Sequence, residues 1–176
     1  TDHEDIGPAL LQGYDFCADL TCSTTDDSVH AESERDVYPH QIATGTTHVG
    51  PLVAVSGNGV GGVSIAGPHD GAIEVLPLKV VHYEPQDLPL WPTFFGTPAA
   101  FINAMTYALG EDPGIPGLAP LDEPVDIILM THGPGRTLTG DESETLEGLF
   151  GLAASLDVLI VTYSGLVQDA VDGQPN

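Results

Sequence analysis

Apolar residues fall along this chain in two alternating rhythms. Short apolar runs bounded by turn residues, at 74–82, 125–130 and 158–162, read as buried strands. Between them the spacing becomes helical. Phe101, Met105, Ala108 and Leu109 share a face of the segment 97–109, and Leu146, Leu149, Phe150 and Ala153 share one of 143–156. Strand, helix, strand, helix, strand is the signature of a parallel sheet with crossovers. The predicted fold class is therefore α/β, a mostly parallel sheet with helices on both faces. Segment 48–55 reads as a further helix, with Pro51 in its first turn, where a missing N–H is tolerated. Residues 24–35 are polar and charged, and 110–123 carry Pro113, Gly114, Pro116, Gly117 and Pro120, so both read as surface loops. No repeat or linker divides the chain. Its 176 residues, 41% hydrophobic, suffice for one domain spanning 1–176.

Charge narrows the function classes. Against 26 Asp and Glu stand three basic residues, Arg35, Lys79 and Arg136, for a formal net charge of -23. Such a field repels phosphate backbones and anionic lipid, which excludes nucleic-acid and membrane-surface partners. It suits the solvated acidic surface of a secreted or salt-adapted protein. No run of about 18 apolar residues is present, so nothing is predicted to span a bilayer. Opening on Thr1 without a signal peptide, the chain reads as a processed product or a piece cut from a longer one. Cys17 and Cys22 lie in a polar segment with no other Cys or nearby His to complete a metal set. A local disulfide is expected in preference to free thiols, and it implies an oxidising, extracellular or periplasmic compartment. The Cys-x-x-Cys spacing of a redox pair is absent.

Two motifs carry candidate chemistry. Thr44-Gly45-Thr46-Thr47-His48-Val49 is followed by Ser56-Gly57-Asn58-Gly59-Val60-Gly61-Gly62-Val63. Around them, in order, stand Asp2-His3-Glu4-Asp5-Ile6, Gly13-Tyr14-Asp15-Phe16, Leu76-Pro77-Leu78-Lys79-Val80, the run 125–133 ending Met130-Thr131-His132-Gly133, and the run 158–166 ending Ser164-Gly165-Leu166. Over essentially its whole length the chain resembles the subtilisin-like serine proteases. The resemblance implies a subtilisin-like, partial α/β domain with peptide-bond hydrolysis by kinship. It also marks what has changed. In that family the first His of the run is the general base, and here the position holds Gly45, or Thr44 if the run is slid by one residue. His48 matches the family's second, structural His, expected to be buried and hydrogen-bonded. Leu166 stands where the family's Asn donates to the oxyanion, a group whose loss costs about 10²–10³ in rate. The family's Asp would precede Thr1 and its Ser would follow Asn176. The expected catalytic set is thus degenerate. His132, at the end of a predicted parallel strand, is the remaining acid–base candidate, and Ser164 lacks the frame of a nucleophile elbow.

The resemblance further implies calcium, held by the side chains of Asp5 and Asn58 and the carbonyls of Ser56, Val60 and Gly62. Hard oxygen ligands on a glycine-rich loop suit that ion, and the alternative is a tight glycine turn without one. Asp26-Asp27 and Asp141-Glu142 read as solvated acids on loops. Two functions follow from different classes. The first is a serine endopeptidase homologue without activity as the chain stands. The second is a non-catalytic module that holds an extended peptide by strand addition along the wall 130–135. The expected partner is a peptide or protein segment, or a complementary portion of the domain covering an apolar edge or face.

Overall fold

A computed structural model describes residues 5–18, 22–26, 44–65, 73–84, 93–131, 133 and 138–162. Three helices, α1 (Thr44–Val53), α2 (Pro98–Ala108) and α3 (Gly140–Ser155), accompany six short strands. The strands are β1 (Tyr14–Asp15), β2 (Leu78–Lys79), β3 (Val81–Glu84), β4 (Thr93–Gly96), β5 (Ile127–Met130) and β6 (Leu159–Thr162). They form three two-stranded sheets: β1–β2 and β5–β6 parallel, β3–β4 antiparallel. The class is α/β.

The single mostly parallel sheet expected from the sequence is not assembled among the described residues, and the strand predicted over 74–82 is divided. Its first part runs parallel to the N-terminal segment, with Leu11 N–H on Val75 O, Tyr14 N–H on Pro77 O and Phe16 N–H on Lys79 O. Pro77 has no N–H to give, so regular pairing begins only at Leu78. Past Val80 the chain changes partner, and β3 pairs antiparallel with β4.

Helix α2 follows its sequence signals closely. Thr97 Oγ1 accepts from Ala100 N–H at 3.2 Å, Pro98 occupies the first turn, and Gly110 closes the end at φ +78°. Phe101, Met105, Ala108 and Leu109 are all buried, as their spacing predicts. Helix α3 begins earlier than the apolar pattern indicates. Glu142 accepts from both the backbone N–H and the hydroxyl of Thr139, at 2.8 and 2.9 Å, which fixes the start at Gly140. Asp141 and Glu142 therefore sit in a helical first turn, favoured by the helix dipole, and not on a loop. Leu146, Leu149 and Ala153 fill the inward stripe, whereas Phe150, one position round, is 39% exposed and leaves the predicted core.

Packing is organised in three clusters. Phe101 and Met105 of α2, with Leu109 at its C-terminal cap, meet Leu146, Leu149 and Ala153 of α3 over the inward face of β5–β6. Ala100, Ala104 and Tyr107, further round α2, meet Phe16 and Cys17. Ile6, Val53 and Ala54 form the third. The Gly/Pro segment after α2 is irregular, as expected, yet Ile115, Leu118 and Leu121 from it pack on the second cluster. Among the described residues, helices cover one face of β5–β6. Ile128, Met130 and Ile160 turn toward the helices, while no described helix lies on the other face, where helices on both were expected.

Candidate functional site

The residues singled out as a metal loop do converge. Helix α1 ends at Val53, with Pro51 near its C-terminal end and not in its first turn as predicted, and the Pro51 carbonyl is taken by Ile65 N–H at 2.8 Å. Ala54 N–H still reaches Gly50 O, and Val55 N–H turns instead to Asp5 O at 2.8 Å. That bond brings the N-terminal segment against the glycine loop. Asp5 is 4% exposed, and its carboxylate accepts from Asn58 Nδ2 at 3.0 Å and from Gly62 N–H at 3.1 Å. Asn58 Oδ1 accepts from Val60 N–H at 3.1 Å, which fixes the amide orientation: turned over, it would set two donors against each other. Gly61 arches over the carboxylate at φ +58°, so closely that a Cβ there would lie 2.0 Å from Asp5 Oδ2. Ser56 Oγ is buried and unbonded at the loop's entrance.

In this arrangement the Asp5 and Asn58 side chains are engaged with each other and with loop N–H groups. A hard cation needs oxygens facing it, but Asp5 turns each of its oxygens to an N–H and Asn58 offers Asp5 its amide hydrogens. The result is a hydrogen-bonded clasp in which two N–H groups replace water around a buried carboxylate. Among the described residues no group of three or more His, Cys, Asp and Glu is placed to hold a metal ion.

Gly45 and His48 both lie in α1. Val49 and Val53, one turn apart, face Ile6 and the third cluster. His48 is consequently turned outward and exposed, as is Leu52 one turn on, so the buried structural role expected for His48 is not what the helix gives it. His132, Ser164 and Leu166 lie outside the described residues, as do Asp2, Asp27 and half of the wall 130–135.

A second polar centre escaped sequence reasoning. Asp15, 2% exposed at the end of β1, receives Lys79 Nζ at 2.5 Å and Cys17 N–H at 2.7 Å. Burial pushes its carboxyl above the ordinary aspartate value, outweighing the opposing pull of Lys79 and of the Cys17 N–H. Cys17 is fully buried beside it and is joined to Cys22 by a disulfide. The signal was available: one of only three basic residues in a chain of net charge -23 sits inside an apolar strand.

No protein-family model matches the chain, and no curated protein matches it by sequence. A solved structure does. A protease from Pseudoalteromonas arctica superposes with a TM-score of 0.58 at 19% identity, covering 92% of this chain and 45% of that protein. The fold is protease-like. The chain spans less than half the length of that protein. Within this protease-like fold the clasp, the α1 segment bearing Gly45 and the Asp15–Lys79 centre are the polar features that the described residues set out.

Proposed function

We propose that this chain carries the scaffold of a subtilisin-like serine endopeptidase and, with Gly45 at the position of the general base, does not itself hydrolyse peptide bonds. The fold likeness to a protease over 92% of the chain carries the reading. The ordered motifs from Asp5 to Leu166 support the narrower family. Acyl transfer by a serine needs a neighbouring group to take its proton, and Gly45 has no side chain to do so. Leu166 likewise has no side-chain donor for an oxyanion. His48 is an exposed residue one turn along α1. Secretion fits the Cys17–Cys22 disulfide, since such bonds persist in oxidising compartments.

A second reading, a peptide-binding module without turnover, is favoured by one observation. Among the described residues β5 pairs only with β6, which leaves its other edge for an extended peptide to join as a strand. A fluorophosphonate probe separates the readings from an active enzyme. No serine is expected to be labelled and no casein to be cleaved. Stoichiometric labelling of any serine would overturn the inactivity, and saturable binding of an extended peptide without cleavage would move the assignment to the second reading.

A further inference from the structure

Among the described residues, the β5–β6 pair is covered on one side only. In register, Ile127 stands beside Leu159 and Leu129 beside Val161. All four point away from α2 and α3, at 58%, 57%, 43% and 42% exposure. Parallel strands bury both faces, because the crossovers that join them lay helices on the sheet. Four apolar side chains in two facing pairs form one contiguous patch, of the kind that marks an interaction surface. Its surroundings are acidic. Asp126 and Asp157 lie exposed at the N-terminal end of the two strands, where Leu159 N–H meets Asp126 O, and Asp122 and Glu123 are exposed just upstream.

We infer that this face is a docking surface for an amphipathic α-helix of a partner polypeptide, with an apolar stripe over the Ile127, Leu129, Leu159 and Val161 face and basic residues in its last turn. A helix layered on parallel strands runs antiparallel to them, so its C-terminal turn arrives at Asp126 and Asp157. Lysine or arginine there satisfies both the helix dipole and the acidic rim. A second copy of this chain is a poor occupant, because bringing together two bodies of net charge -23 is repulsive. The inference rests on the sheet and its rim, and stands whether or not the scaffold is a subtilase.

The test uses a labelled 18-residue peptide with leucines at helical spacing and lysines in its last turn, followed by fluorescence anisotropy. Saturable binding is expected, with at least about tenfold loss when the terminal lysines become glutamates. Leu129→Glu and Val161→Glu, at positions already exposed, are expected to weaken it by a similar factor. Their far-UV circular dichroism should match that of the unaltered chain. Those variants make the chain more acidic, so simple attraction for a cationic peptide would grow, and a loss of binding reports the apolar face. Equal affinity for both peptides, binding indifferent to the two substitutions, or a dimer of the chain dissolved by Leu129→Glu would each overturn the assignment.

Discussion

Lys79→Met is expected to destabilise the protein strongly at neutral pH and much less in acid. Asp15 is 2% exposed and the Lys79 side chain 14%, so the ammonium is the group that makes an ionised carboxylate tolerable in that position. Methionine keeps the stem and removes the charge. Leaving a buried charge without its partner costs about 3–5 kcal/mol. At about 2–4 °C per kcal/mol for a chain of this size, the melting temperature should fall by roughly 6–20 °C. The pH dependence follows from the direction of the Asp15 shift. Its folded pKa lies above the ordinary 3.8, so the folded state holds the proton more tightly than the unfolded chain. The contribution of this group to stability is therefore greatest below the unfolded value and declines as pH rises through the raised folded one. Without Lys79 the carboxyl rises further, and in acid it is neutral and needs no cation. Asp15→Asn keeps an oxygen for Cys17 N–H and leaves Lys79 to reach solvent, so about 1–2 kcal/mol is expected. The double variant should recover much of the Lys79→Met loss. Thermal and urea melts by circular dichroism, each variant against the unaltered chain at about pH 7 and about pH 4, cancel the background titration of the other acids. A Lys79→Met penalty equal at both pH values, or a double variant no better than the single, would refute the reasoning.

Gly61→Ala should open the clasp, since a Cβ there collides with Asp5 and the backbone at φ +58° is strained for alanine. A loss of roughly 1–3 kcal/mol is expected, with new proteolytic cleavage in the glycine loop. Calcium or a chelator should leave the melting temperature of the unaltered chain in place. A calcium-dependent rise of several degrees, abolished by Asp5→Ala, would show that the clasp reorganises around the ion. Reducing the Cys17–Cys22 bond closes no new contact but frees a short loop, at about 2 kcal/mol. The melting temperature should then drop by roughly 4–8 °C, measured by calorimetry with and without a dithiol reductant.

The elements legible in the sequence were those whose pattern and caps agree. Helix α2 was readable because Thr97, Pro98 and Gly110 punctuate the same stretch that Phe101, Met105 and Leu109 mark as amphipathic. Strands β5 and β6 were readable as apolar runs between turns. Other features depend on tertiary contacts. The division of 74–82 is set by which neighbour each half meets, with Pro77 as the sole local hint. The early start of α3 was available in Thr139 and Glu142 but lay upstream of the apolar stripe. At the site, Asp5, Asn58 and the glycine loop do lie together, yet residue types alone do not say whether an amide turns its oxygen or its hydrogens toward a carboxylate. His48 was misplaced for a similar reason. Its helix rotates to bury Val49 and Val53, and nothing in the motif fixes that rotation.

Helix α2 is the party wall of the molecule. Phe101, Met105 and Leu109 belong to one packing cluster, Ala100, Ala104 and Tyr107 to another, and Val80 packs against both. Neither side can loosen without stripping a flank of the same eleven-residue helix. Local opening of one cluster therefore becomes opening of both, and the backbone amides along this helix should exchange with solvent no faster than the whole protein unfolds. A lesion at the disulfide side would be felt on the β5–β6 side, and a partner seated there would in turn tighten the hold on Cys17 and Asp15.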